Sequence, residues 1–199
     1  MGNVARREMS TDPRAVRTRA TLINSTIGLL KTNRAETLSV SQIVKEGKLS
    51  RQVFYEHFAD RDALLYAAGE KMIEPAFEWS KEHARSFSGP EGLVTSLFTA
   101  IEPHREAMRN LCDGPVHWRI HSYSVGKLIP FLETELRANL ERSGAEVVEE
   151  NLRPTAELLA NGVAAQLTEA VREGRTVAET RDVMRRCRAT LDALRYDQP

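Results

Sequence analysis

A chain of 199 residues, 41% hydrophobic and 28% charged, can bury a sizeable core, which excludes a disordered polymer and removes the need for disulfide or metal staples. No apolar run approaches the ~18 residues of a membrane span, and Arg6, Arg7 and Glu8 interrupt any secretory core, so a cytoplasmic protein with no membrane partner is expected. Net charge is zero, yet residues 1–66 hold 11 Lys and Arg against 7 Asp and Glu while residues 67–199 hold 17 against 21, a basic front on an acidic body.

No run of alternating β-branched residues suggests a strand, and glycine and proline fall between long periodic segments, so the fold class expected is all-α. The first helix should run over 14–32 with Leu22, Ile23, Thr26, Ile27 and Leu30 on one stripe, started by Asp12 as cap and Pro13 in the first turn. Ser39 with Gln42 three residues on makes a capping box for a short second helix that Gly47 ends. Ser50 caps a third, Arg51–His57, and Asp60 or Asp62 starts a fourth that continues toward Trp79. Two short helices separated by Gly47-Lys48-Leu49 have the spacing of a helix-turn-helix, the motif that offers its second helix to the major groove.

Beyond the break at Phe87–Gly92, helices are expected over 91–110, 116–121, 124–143, 146–173 and 177–195. The organisation expected is a flexible basic arm over 1–13, a three-helix DNA-binding domain over 14–66 and a second helical domain over 67–199. The arginines at 6, 7, 14, 17 and 19 suit either a phosphate-tracking arm or a merely solubilising tail.

The block from Leu38-Ser39-Val40 through Phe54-Tyr55-Glu56-His57-Phe58-Ala59-Asp60-Arg61-Asp62-Ala63-Leu64-Leu65 resembles the tetracycline-repressor (TetR) family of transcription regulators, a likeness carried by residues 14–70. That resemblance implies a ligand-responsive, homodimeric regulator, a repressor released from a near-palindromic operator by a small lipophilic effector. One position departs from the family pattern. Lys48 stands where members usually place glycine, and a left-handed backbone there costs a lysine ~1 kcal/mol relative to glycine.

A recognition helix needs apolar groups to hold it to its domain and donors to reach double-stranded DNA. Val53, Phe54 and Phe58 suit the first task, with Leu49 securing the turn; Arg51, Gln52, Tyr55 and His57 are expected to project outward. Arg51 suits a bidentate pair with guanine and Gln52 one with adenine, each worth ~1–3 kcal/mol of discrimination. The resemblance implies phosphate or thymine-methyl contacts for Tyr55 and His57 and phosphate contacts for Ser41 and Arg61, and Ser50 belongs to the same surface; the competing reading makes Tyr55 and His57 core-edge residues and Arg51 and Arg61 solvated surface charges.

In the second half, Leu158, Leu159, Val163, Leu167 and Val171 form one apolar stripe and Val183, Met184, Cys187, Leu191 and Leu194 another. The resemblance implies that residues 67–199 form a ligand-binding and dimerisation domain pairing through the two helices that carry these stripes, with Leu159, Val163, Leu167, Met184, Cys187 and Leu191 as the expected dimer contacts; the competing reading is that the stripes face only their own core. Phe87, Phe98, Met108, His117, Trp118, Tyr123 and Phe131, with His104 and His121 nearby, suit either a lipophilic effector pocket or plain core, and the resemblance implies a pocket in this region.

No cofactor or metal is expected. His117 and His121 share a helix face and Cys112 precedes them, but no further ligand completes a set. Phosphate-cradling loops, nucleophile elbows and zinc-protease motifs are missing from the sequence, so no enzyme activity is expected. The rival function is an all-helical ligand carrier or small enzyme without specific DNA binding.

Overall fold

A computed structural model describes residues 12–82 and 90–193, and these residues are helical with no strand. The nine α-helices among them are α1 Pro13–Leu30, α2 Val40–Glu46, α3 Arg51–His57, α4 Arg61–Glu82, α5 Pro90–Ile101, α6 Arg105–Cys112, α7 His117–Ser143, α8 Glu149–Glu173 and α9 Val177–Ala193. Short 3-10 turns occupy Ala35–Thr37 and Glu102–His104. None of the helices is long and apolar enough to cross a membrane. Residues 1–11, the greater part of the expected arm, and Phe87 lie outside the described residues.

The helix boundaries follow local chemistry. Asp12 Oδ1 accepts from Arg14 N at 2.9 Å with Pro13 in the first turn of α1. Ser39 and Gln42 close both halves of the capping box on α2, Ser50 Oγ accepts from Val53 N at 3.2 Å on α3, and Asp60 Oδ1 accepts from Ala63 N at 2.7 Å on α4. Two boundaries differ from expectation. The single helix over 91–110 is split into α5 and α6 by the turn containing Pro103, which cannot donate the backbone hydrogen bond that would continue the helix. The separate helices over 116–121 and 124–143 are one helix, α7, because Ser122 to Ser124 contain no residue that interrupts it.

The chain forms two compact units. The first comprises the chain through Glu74 together with Pro103–Ile120, the second Pro75–Glu102 together with the chain from His121 onward. Residues 103–120, grouped by sequence with the second half, therefore pack with the N-terminal helices. In the first unit Leu22, Ile43, Val44, Phe54, Phe58, Leu64 and Ala67 form one core cluster, sealed at its edge by Val40, Leu49 and Ala63. Helix α6 packs on α1, and Asn110 Nδ2 donates to the Leu30 carbonyl at 2.8 Å, supplying one of the partners that the end of α1 lacks. The following Gly114 lies against the 3-10 turn so closely that a Cβ there would stand 2.6 Å from Ala35 Cβ.

In the second unit α5 packs on α9, and Phe98 and Ala170 are buried together with Leu167, Val177 and Met184 around them. Leu152, Ala156, Ala160 and Ala164 bury one face of α8, where small side chains permit close helix approach. Gly174, at φ 69°, ends α8, and Thr176 with Glu179 forms a second capping box that opens α9. The carboxyl of Glu179 is held below its ordinary range, mainly by the Thr176 backbone N–H and also by the Thr176 hydroxyl and the Arg175 charge. Arg137 and Glu149 pair across the α7–α8 connection, and that contact lowers the Glu149 carboxyl and raises the Arg137 guanidinium.

Candidate nucleic-acid interface

Helix α3 has two faces. Phe54 and Phe58 are fully buried, and Phe58 packs at 6.1 Å between ring centroids from Phe54. Arg51 and Gln52 are exposed, and Tyr55 is 47% exposed while its ring meets Phe54 edge-on at 5.1 Å. Arg51, Gln52 and Tyr55, at helical positions i, i+1 and i+4, thus form one outward strip. Ser41 on α2 is exposed as well.

His57 corrects the expectation of outward projection: it is 1% exposed. The reason is register, since positions 54, 57 and 58 stand at i, i+3 and i+4 and share the buried face. Arg61, expected as a phosphate clamp, is engaged within the chain. Its Nη1 donates to the carbonyls of Glu36 and Leu38 at 3.2 and 3.1 Å and its Nε to Asp62 at 3.0 Å, tying the segment before α2 to the start of α4. Ser50 is exposed, with its hydroxyl oxygen occupied as the α3 cap.

Arg19, one of the arginines that by sequence suit either a phosphate-tracking arm or a solubilising tail, is a fastener of α3. Its Nη1 donates to the His57 carbonyl at 2.9 Å and its guanidinium lies 4.1 Å from the Phe58 ring centroid. A cation at a helix C-terminus meets the negative end of the helix dipole, and the ring face adds a cation–π contact. Sequence reading missed this role; the arginine one turn before the buried stripe of α1 was the available signal.

The turn between α2 and α3 is a Schellman motif. Leu49 N donates to the Val44 carbonyl at 2.8 Å, Lys48 N to the Lys45 carbonyl at 3.2 Å, and Leu49 and Val44 share the core cluster. The left-handed position that this motif requires is taken by Lys48, at φ 52°, the sole non-glycine residue with positive φ among the described residues. Gly47 has φ −76°, a backbone open to any residue. A Cβ at Gly47 would stand 3.1 Å from Ser25 Oγ, a close approach to which the hydroxyl would have to yield by a few tenths of an ångström, and in ordinary contact with Thr21 on α1 at 3.5 Å. The glycine and the left-handed residue are therefore adjacent positions, and the left-handed torsion is not the property of Gly47.

The effector-pocket candidates divide between the units. Met108, His117 and Trp118 belong to the first, Phe98, His121, Tyr123 and Phe131 to the second. Met108 and Phe98 are buried core, and Trp118, expected as a lining residue, is 69% exposed. His117, His121, Tyr123 and Phe131 are half-buried, and Lys127 Nζ lies 5.1 Å from the Tyr123 ring centroid.

Of the expected dimer contacts, Leu159 and Val163 are half-buried, Cys187 is exposed, and Leu167 and Met184 pack beside Phe98 and Ala170 in the chain's own core. The Leu191 side chain lies outside the described residues. Leu158, on the outer face of α8 with Gly162 and Ala165, is 75% exposed. Cys112 and Cys187 form no disulfide.

No family model and no curated protein matches the chain. Solved structures do match. The dihydroxyacetone kinase operon activator DhaS aligns with a TM-score of 0.64 at 14% identity, over 86% of this chain and 94% of that one. A protein of Pseudomonas aeruginosa PAO1 described as a transcriptional regulator aligns with a TM-score of 0.61 at 21% identity, over 96% of each chain. The chain thus has the all-helical fold of an operon activator and of a protein described as a regulator, along nearly its whole length.

Proposed function

We propose that this chain is a ligand-responsive, DNA-binding transcription regulator of the TetR type. The observation that carries the proposal is the two-faced α3, with Phe54, His57 and Phe58 buried and Arg51, Gln52 and Tyr55 presented outward from a capped helix-turn-helix. Arg51 and Gln52 read base edges in the major groove, whereas Tyr55 and Ser41 contact the backbone and set the register. The two solved proteins of the same fold, named as an operon activator and described as a transcriptional regulator, support the reading.

The protein acts as a cytoplasmic homodimer, pairing through the face of α8 that carries Leu158, Gly162 and Ala165. Two-fold symmetry then sets two copies of α3 about one DNA turn apart, ~34–36 Å, over a near-palindromic site. A small lipophilic effector held in the second unit, with Tyr123 or His121 as polar anchor, favours a dimer with a different spacing and releases DNA. Helix α4 carries the change, since it contributes residues to both units and contains Pro75, where the helical bond to the Lys71 carbonyl is missing. Repression follows if that change lowers affinity; the effector must prefer the released state by a few kcal/mol to matter.

Gel-shift titration of the purified protein on the promoter region of its own operon tests the reading. Salt-sensitive, sequence-selective binding is expected. Failure to bind selectively there, or at any site enriched from random duplex DNA, leaves the ligand-carrier alternative in place.

A further inference from the structure

We infer that Lys48 is an additional DNA-contacting residue, kept in the turn at the expense of fold stability to place an ammonium beside the α3 reading surface. The inference rests on the DNA-binding function proposed above.

Three observations carry it. Lys48 holds the left-handed position of the Schellman motif at φ 52°, where a Cβ is disfavoured and glycine is the relaxed choice. Its side chain is exposed and makes no hydrogen bond or ion pair among the described residues that would offset that strain. It also stands two residues before the Ser50 cap of α3 and three before Arg51, on the turn that links the exposed faces of α2 and α3. Strain held at an exposed residue, with no internal contact to repay it, fits a function outside the fold. A flexible ammonium suits a phosphate rather than a base edge, so the contact adds affinity and salt dependence without sequence preference.

The test compares the full-length protein with Lys48→Gly and Lys48→Ala variants. Thermal unfolding should show Lys48→Gly raised by ~2–4 °C and Lys48→Ala near the parent, because alanine keeps the strained backbone. DNA affinity measured across a salt series should show both variants with the logarithmic salt slope reduced by ~0.9 and an equal loss on selected and unrelated duplexes. An unchanged slope in both variants overturns the inference while leaving DNA binding intact, and a Lys48→Gly variant no more stable than the parent overturns its strain premise. If the parent itself shows no salt-sensitive DNA binding, the functional proposal fails first and takes this one with it.

Discussion

Arg19 Nη1 donates to the His57 carbonyl at 2.9 Å, so a residue of α1 closes the C-terminal end of the helix that presents Arg51 and Gln52. The same guanidinium covers the Phe58 ring. The angle of the reading helix is therefore fixed from behind by a side chain that does not itself need to touch DNA.

Replacing Arg19 with alanine removes a charged hydrogen bond and a cation–π contact together. A stability loss of about 2 kcal/mol is expected in urea unfolding, with Arg19→Lys intermediate because lysine keeps a cation but not the forked geometry. An Arg19→Ala variant as stable as the parent would show that the contact contributes nothing to the fold.

Arg51 and Arg61 should separate cleanly. Arg51→Ala alters an exposed group, so its unfolding midpoint should match the parent within ~0.5 kcal/mol while DNA affinity falls. Arg61→Ala leaves the Glu36 and Leu38 carbonyls without their donor and should lose ~1–3 kcal/mol of stability. Paired urea unfolding and DNA titration of the two variants check this; equal stability losses would contradict the division of roles.

His104 predicts a pH dependence. Its imidazole is held below the ordinary value of 6.5, chiefly by burial and then by the charges of Lys31 and Lys71, and its Nδ1 is a buried atom without a hydrogen-bond partner among the described residues. Above pH 6.5 both folded and unfolded chains carry the neutral ring and this residue leaves stability flat. Below it the unfolded chain takes up the proton first, so stability falls until the lowered folded-state value is passed. Thermal midpoints between pH 5 and 8 should therefore decline on the acid side, and His104→Gln should flatten that decline.

Leu158 tests the assembly. An exposed leucine contributes little to its own chain's core, so Leu158→Arg should leave the unfolding of a dilute sample close to the parent's while shifting the mass in solution from dimer toward monomer. A variant that stays dimeric by light scattering would remove this face of α8 from the interface.

What was legible in the sequence was local. Asp12 with Pro13, Ser39 with Gln42, and Ser50 act within one helical turn, and each stands where its spacing placed it. The α3 boundaries, Arg51–His57, were equally readable. The inward turn of His57 was readable too, since the buried face lies three and four residues after Phe54; its outward role was implied by the resemblance, with a core-edge place as the competing reading. Long-range partnerships were not legible: nothing near Arg61 in sequence indicates carbonyls more than twenty residues away, nor does the α6 sequence announce that Asn110 caps Leu30. The Thr176–Glu179 box was passed over although it has the same spacing as the one that was found.

The bond from Asn110 to Leu30, with Gly114 pressed against Ala35, bears on how such a protein is recombined. A chimera made by a single crossover after α4 would transplant the head without the helix that finishes α1, exposing Leu111 and other residues buried within that unit. The portable module is discontinuous in sequence. Exchanging it intact takes an additional pair of crossovers, around residues 103 and 120, and swaps made without them should yield heads that are less stable than their parent's whatever body receives them.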